Sequence, residues 1–317
     1  MAPGVAIRVA TTDDHLAGLV EIVRATTPEE ATTLDELRWA EATYPGGVRF
    51  VADLEGRPVG AATVGRIHVQ APDHPDLWGT LGVVADARRR GIGSALLDAI
   101  ARTAAATGKT GLQIRCRADR PESIAFLVHR GFRELERMKA VRLELAGRTP
   151  SPVRVPDGLE LTSLAGRPEL VAGVHAVALE TFADTPGGEP MAVGDLAEFR
   201  ARDVDRPGIP PDAFMVAVVS GTDQVVGYAS LQHAPGRPGV AWHDMTAVRR
   251  DWRGQGLATA LKQASIAWAI RHGLTALETG NDEANAPMRA VNARLGYEPL
   301  PDEVILRGRL DGAMMGT

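Results

Sequence analysis

Two stretches of this 317-residue chain carry the residue types and spacing of an anion cradle. One runs Val83-Val84-Ala85-Asp86-Ala87-Arg88-Arg89-Arg90-Gly91-Ile92-Gly93-Ser94. The other runs Val248-Arg249-Arg250-Asp251-Trp252-Arg253-Gly254-Gln255-Gly256-Leu257-Ala258. In each, a short apolar strand ends at a valine, a basic turn follows, and glycine opens an amphipathic helix. Glycine lets the backbone pass close to an anion, the first free amides of a helix point at it, and the helix dipole favours negative charge there. The chemistry expected of both stretches is the binding of a phosphate-bearing ligand.

The elements around these loops repeat. Val83 and Val248, Arg88 and Arg253, Gly108 and Gly273, and Gly131-Phe132 and Gly296-Tyr297 all stand 165 positions apart. Upstream, Phe50-Val51-Ala52 keeps that offset to Met215-Val216-Ala217, while Val59-Gly60 pairs with Val226-Gly227 at 167, a slip that falls in a glycine turn. Each copy reads as a strand (Ile7 to Val9; Leu159 to Leu161), a helical pattern (Asp14 to Ala25; Pro168 to Leu179) and a hairpin (Val48 to Val64; Ala213 to Leu231). The strand into the loop follows (Trp78 to Val84; Ala241 to Val248), then a helix with an apolar stripe at Ile92, Leu96, Ala99 and Ile100, or at Leu257, Leu261, Ala264 and Ala267. Gly108 and Gly273 stand where such a helix ends. A strand comes next (Leu112 to Cys116; Ala276 to Thr279), then a short helix with Pro121 or Pro287 in its first turn, then a closing strand (Glu134 to Leu145; Val304 to Leu310). The expected division is a domain over 1–146, a proline- and glycine-bearing linker over 147–158, and a second domain over 159–317.

Composition sets outer bounds. A net charge of −5 without a dense basic run argues against nucleic acid as partner, and 44% hydrophobic with 24% charged residues is ordinary for a globular chain. A single cysteine, Cys116, excludes an intrachain disulfide framework and favours a reducing compartment. No signal-like start and no membrane-length apolar run is present, so a cytoplasmic location is expected, with no membrane partner and no metal.

These residues resemble the GNAT superfamily of acyl-CoA N-acyltransferases, in tandem over almost the whole chain. The family's loop pattern, Gln/Arg-x-x-Gly-x-Gly/Ala after a valine-ended strand, is matched by Arg88-Arg89-Arg90-Gly91-Ile92-Gly93 and by Arg253-Gly254-Gln255-Gly256-Leu257-Ala258. A second motif ending in Gly-Phe or Gly-Tyr follows at the same interval in both copies. The loop lacks the Lys-Ser/Thr of a nucleotide triphosphatase, and no dinucleotide-type glycine run opens either copy. The resemblance implies an α/β fold of two domains, each a mixed sheet of about six to seven strands flanked by helices. It also implies acetyl-CoA or coenzyme A as cofactor, held at Val83, Arg88, Arg89, Arg90, Gly91, Ile92, Gly93 and Ser94 and at Thr246, Val248, Arg253, Gly254, Gln255, Gly256, Leu257 and Ala258. The pantetheine arm is expected to enter a gap where the fourth and fifth strands of each copy splay.

The resemblance places the chemistry in the second copy. There the run Thr279 to Tyr297 carries Asn281, Asn285 and Asn292, amides able to fix the pantetheine and the thioester carbonyl; the first copy has Cys116, Arg120 and Leu127 instead. Asn285 also reads as a helix cap and Asn292 as a surface polar residue. The tyrosine with which many relatives protonate the leaving thiolate is missing at Leu127 and Asn292, so either the thiolate leaves unassisted, its acid being far stronger than an alcohol, or Tyr297 or another tyrosine serves as the acid. A primary amine, with a pKa near 10, needs a base before it can attack. The candidates are His243, Asp244 and, on the next strand, Glu278, with Asp244, which shares the parity of Val248 along its strand, the first choice. His243 is expected on the opposite face or in solvent. Glu180, Asp184 and Glu189 read either as an anionic lip or as a solvated loop, and Cys116 as a small core residue. The expected activity is acetyl transfer from acetyl-CoA to the primary amine of a small molecule, in a monomer or homodimer. A noncatalytic acyl-CoA-binding module and a protein N-acetyltransferase are the alternatives.

Overall fold

A computed structural model of the chain describes residues 4–186 and 191–310. It divides into two compact units. The first comprises Met1–Arg137, Pro235–Arg237 and Asp302–Thr317, the second Met138–Ala234 and Pro238–Pro301.

The first unit runs β1 (Val5–Val9), α1 (Asp13–Thr26), α2 (Leu34–Thr43), β2 (Val48–Leu54), β3 (Arg57–Gly65), β4 (Asp76–Val83), α3 (Ile92–Ala106), β5 (Gly111–Arg117) and α4 (Pro121–Val128). The chain then forms β6 (Arg133–Glu144) and enters the second unit through β7 (Leu159–Ser163), α5 (Val171–Thr181) and α6 (Leu196–Phe199). It continues with β8 (Met215–Val219), β9 (Val225–His233), β10 (Val240–Val248), α7 (Leu257–Arg271), β11 (Ala276–Asp282), α8 (Ala286–Arg294) and the short β12 (Glu298–Pro299). It closes with β13 (Glu303–Arg309). Sequence reasoning placed most of these within a few residues but missed α2, α6 and the π-helical turn Arg200–Val204 that follows α6.

The closing strands are exchanged. β13, at the end of the second sequence repeat, pairs antiparallel with β5 and completes the first unit's sheet, ordered β1-β2-β3-β4-β5-β13. β6, at the end of the first repeat, pairs antiparallel with β11 and completes the second, ordered β7-β8-β9-β10-β11-β6, with β12 beyond it. Each sheet is antiparallel except where the loop-bearing strand meets its parallel neighbour.

Equivalent arginines fix the register of the exchanged strands. In the second unit Arg142 of β6 stands opposite Glu278 of β11, and its Nη1 donates to Glu278 Oε1 at 2.6 Å. In the first, Arg307 of β13 stands opposite Gln113 of β5 and donates from Nε and Nη2 to both oxygens of Asp76 at 2.5 and 2.7 Å, while Gln113 Nε2 donates to Oδ2. A strand slipped by one residue would turn these charges to the other face and bury them without partners.

The long helices sit close on their sheets because glycine stands beneath them. A β-carbon at Gly60 of β3 would press on Ile92 and Leu96 of α3, and one at Gly227 of β9 on Leu257 and Leu261 of α7. The close approach buries Leu96, Leu97, Ile100 and Ala104 in one core and Leu257, Leu261 and Trp268 in the other.

Burial acts to push the Asp76 carboxyl up, but the hydrogen bonds of Arg307 and Gln113 and the arginine's charge outweigh it and hold the group below the ordinary carboxylate range. Its stabilisation is therefore present above the unfolded pKa, about 3.9, and is lost as pH falls through the lower folded value. Asp76→Ala is expected to cost about 3 kcal/mol in thermal or denaturant unfolding near neutral pH. Removing Asp86, which pairs with Arg57 in solvent, is expected to cost under about 0.5 kcal/mol.

Candidate functional site

The loop helices α3 and α7 differ at their N-termini from the helices that open the first unit. α1 and α2 satisfy their own free amides: Thr12 and Thr33 accept from His15 N and Glu36 N, and acidic residues occupy both first turns. α3 and α7 do neither. Their N-caps are Gly91 and Gly256, at φ 80° and 86°, with no side-chain cap and no acid in the first turn. Helix starts left open in this way receive an anion from outside.

The two loops match in detail. Arg88 Nε donates to Val83 O at 3.1 Å and Arg253 Nε to Val248 O at 3.0 Å, so each arginine is folded back over the end of its strand. Gly254 has φ 77°, and Arg89 takes the same left-handed conformation at φ 63° in spite of its side chain. A β-carbon at Gly254 or Gly256 would meet nothing within 4 Å, which leaves the backbone open to a phosphate. Gln255 Nε2 closes its own turn on Asp251 O, and Ser94 accepts from Arg130.

Glu180 and Asp184 correct the sequence expectation of a lip or a solvated loop: they bind the second loop. Arg250 N donates to Glu180 Oε1, Arg249 pairs with Glu180, and Asp184 takes both Arg250 and Arg253, the latter at 2.8 Å. Hydrogen bonds from these arginines bring the Asp184 carboxyl down to about 2. The pair is solvent-exposed, so its net hold on Arg253 is weak and an incoming anion can compete for the guanidinium. Glu189 lies outside the described residues.

Beside each loop the parallel strands part. β10 pairs with β11 only from Val240 to Trp242, and β4 with β5 only from Asp76 to Gly79. Beyond those points the free backbone groups can receive an amide-bearing chain. In the second unit β10 also carries a bulge: His243 pairs with Leu231 and Thr246 with Ala229, so Asp244 and Met245 together oppose Ser230 alone. The extra residue reverses the parity read from the sequence.

His243 accordingly lies in the core, not in solvent. It is 1% exposed, its Nδ1 shares a 3.0 Å hydrogen bond with Tyr297 Oη, and burial with the nearby Lys262 charge holds it well below its usual range. Lys262 is itself buried, 5.5 Å over the Tyr297 ring, with its amine brought down to about 7 by burial. Tyr297 is thus a core residue, 6% exposed, whose phenol burial pushes up. Glu278, the second candidate base, is committed to Arg142.

Asp244 turns the other way and is open to solvent. Although the residue as a whole is exposed, the protein groups packed around the carboxyl itself push it up by desolvation, with the charges of Arg206 and Arg202 opposing. The asparagines also divide their tasks. Asn285 caps α8 through Met288 N, while Asn292 is buried, not on the surface, and its Nδ2 donates to Asn281 Oδ1 at 2.7 Å. This fixes the side chain of Asn281 at the end of β11. Buried Thr246 Oγ1 and Asn292 Oδ1 have no protein partner. Open helix amides, Arg253, parted strands and unsatisfied polar atoms together suit a ligand with a pyrophosphate head and an amide-bearing arm.

The first unit keeps the loop and the parted strands but lacks the bulge and the asparagines. β4 pairs with β3 without a bulge. Cys116, Arg120 and Leu127 replace the asparagines. Arg120 is tied to Thr26 O and Glu29, and Arg115 to Glu30 and Glu303. Burial first, then the Glu30 charge, push the Cys116 thiol up to about 11, so it is neutral and no nucleophile. A β-carbon at Gly82 would collide with Thr26, which shows how closely the end of α1 covers β4 there. Among the described residues no helix is long and apolar enough to cross a membrane.

The chain matches the acetyltransferase (GNAT) family over residues 16–132 and 179–297. It is 28% identical over 287 residues to a mycothiol acetyltransferase of Actinosynnema mirum, covering 85% of this chain and 93% of that protein. Its fold is similar to that of a tandem GNAT protein from the clavulanic acid biosynthesis pathway, with TM-score 0.78, 24% identity and coverage of 96% and 98%. It also resembles a GCN5-related N-acetyltransferase from Sphaerobacter thermophilus, with TM-score 0.75, 18% identity and coverage of 98% and 97%.

Gly256→Asp places a β-carbon in a left-handed conformation and a carboxylate at the open helix start. In calorimetry it is expected to weaken coenzyme A binding at the second loop about tenfold or more. Asp184→Asn, which releases Arg253, is expected to tighten it, and by less.

Proposed function

The chain belongs to the acetyltransferase (GNAT) family, and from that premise we propose that its second unit transfers acetyl from acetyl-CoA to the primary amine of a small molecule by direct attack. The observation that carries this reading is the bulge in β10, which sets the solvent-open carboxylate of Asp244 beside the gap between β10 and β11. When bound, acetyl-CoA supplies an acyl carbon activated as a thioester, whose leaving thiol is a far stronger acid than an alcohol.

The chain's own residues divide the work. The free amides from Gly254 to Ala258 and the guanidinium of Arg253 hold the pyrophosphate, and Asp184 gives up Arg253 to it. Thr246 and Asn281 bind the amide-bearing arm, Asn281 being held by Asn292. An acceptor amine enters largely as ammonium at neutral pH, because its pKa is near 10. Asp244 takes the proton, and its raised pKa narrows the gap between base and amine. No phenol stands at the Asn292 position and the Tyr297 hydroxyl is engaged by His243, so neither supplies an acid to the thiolate.

We read the first unit as a binding unit without transfer, because Arg115 and Arg120 bridge β5 and the start of α4 to the segment after α1 and no carboxylate stands on a bulge of β4. The mycothiol acetyltransferase relative makes the deacetylated amine of mycothiol the first acceptor to try, followed by amino sugars, aminoglycosides and peptide amines. Thiol release from acetyl-CoA over this panel tests the reading. Turnover with a small-molecule amine supports it, turnover with peptide N-termini alone redirects it, and a chain that neither binds acetyl-CoA nor turns over any amine refutes it.

Asp244→Asn is expected to lower kcat by about 10²- to 10⁴-fold with little change in acetyl-CoA affinity. Since the carboxylate must be ionised to act, kcat/KM of the native chain should fall as pH drops through a value above the ordinary carboxylate range. The asparagine variant should lose that limb.

A further inference from the structure

Asp244 has company on its face of the sheet. Asp203 stands in the π-helical turn after α6, a local geometry often found at functional positions. It accepts from Arg202 Nε at 2.8 Å, and Arg202 spends its other donors on the carbonyls of Ala192 and Val193 while lying over the Phe182 ring. Asp203 is close enough to Asp244 for the two charges to repel. From β9, Tyr228 reaches the same place. It is 1% exposed, its hydroxyl has no partner, and the charges of both Asp203 and Asp244 bear on it. A phenol buried without a partner beside two carboxylates is costly unless a ligand completes its hydrogen bonding.

We propose that Asp203 and the Tyr228 hydroxyl, with Asp244, select the acceptor: Asp203 and Asp244 receive its ammonium, and Tyr228 hydrogen-bonds a polar group on a neighbouring atom of the same molecule. The acceptor class is then a primary amine with an adjacent hydroxyl or equivalent, in preference to a plain alkylamine. This rests on the reading of the second unit as the transfer site and adds to it two specificity-determining side chains.

The charged groups that face Asp203 are Arg202 and Arg206 from its own segment, Asp244 from β10 and the Tyr228 phenol from β9; Glu180 and Asp184 are engaged by the loop arginines. Burial, opposed by Arg202 and reinforced by Asp244, pushes the Asp203 carboxyl up to about 6. As pH rises through that value the pocket gains its second negative charge, and an alkylammonium, still protonated there, is bound more tightly.

Ethanolamine and ethylamine, titrated into the full-length chain by NMR, are the probes. For the native chain, ethanolamine is expected to bind about fivefold or more tightly near pH 7.5 than near pH 5, and more tightly than ethylamine. Asp203→Asn should abolish the pH gain, Asp203→Glu should restore it in part, and Tyr228→Phe should abolish the preference for ethanolamine. Unchanged acetyl-CoA affinity and melting temperature show each variant folded. The proposal is overturned if ethanolamine fails to bind the native chain, if Asp203→Asn keeps the native pH dependence, or if Tyr228→Phe keeps the native preference. Failure of acetyl-CoA to bind, by contrast, would strike at the transfer reading and leave the amine result to be judged separately.

Discussion

Two residues of β10, Asp244 and Met245, stand opposite a single residue of β9, and the function we propose for the second unit depends on that excess. A regular strand would put Asp244 on the α7 side with Val248 and turn His243 away. The bulge reverses this: His243 goes under α7 to Tyr297, and Asp244 comes out on the side of α5, Asp203 and Tyr228. The same excess interrupts the pairing of β10 with β9 close to where β10 parts from β11. A carboxylate, a gap between strands and an open helix start therefore fall on one short stretch of chain.

The two units share one architecture and differ in the side chains around it. The anion cradle is made mostly of backbone: a left-handed glycine, the first amides of a helix, and one arginine folded over the strand end. Such a site tolerates sequence drift, and even Arg89 in place of a glycine leaves it intact. Transfer depends on side chains at set positions. Where the second unit has Asn281, Asn285 and Asn292, the first has Cys116, an arginine committed to Glu29 and Thr26, and a buried leucine. Arg120 ties the start of α4 to Thr26 and Glu29, and β4 carries no exposed carboxylate.

Much of this was legible in the sequence. The constant offset between Arg88 and Arg253, between Gly108 and Gly273, and between Gly131 and Gly296 gave the duplication and the order of elements, because glycines in left-handed positions mark helix starts and ends. The bulge was not legible: neither Asp244 nor Met245 is a glycine, and alternation read through Val248 assumes an uninterrupted pleat. The strand exchange left no mark either, since β6 and β13 carry equivalent arginines at 142 and 307, and either sheet could accept either strand by local pattern. Partner choice rests on contacts distant in sequence, such as Asp76 with Arg307. Glu180 and Asp184 looked like loop charges because their partners lie some 70 residues on. Nothing near Tyr297 in sequence announced His243 of β10 and Lys262 of α7, which pack beside it.

The central claim is that Asp244, aimed by the bulge, faces the reacting acyl group in the second unit. A crystal of the full chain soaked with acetyl-CoA tests it directly. The account predicts a thioester in the gap between β10 and β11, with its carbonyl near the bulge and the Asp244 carboxyl on the open side from which an amine can approach. A thioester seen only in the first unit, or one in the second unit with Asp244 turned away from it, would contradict the account.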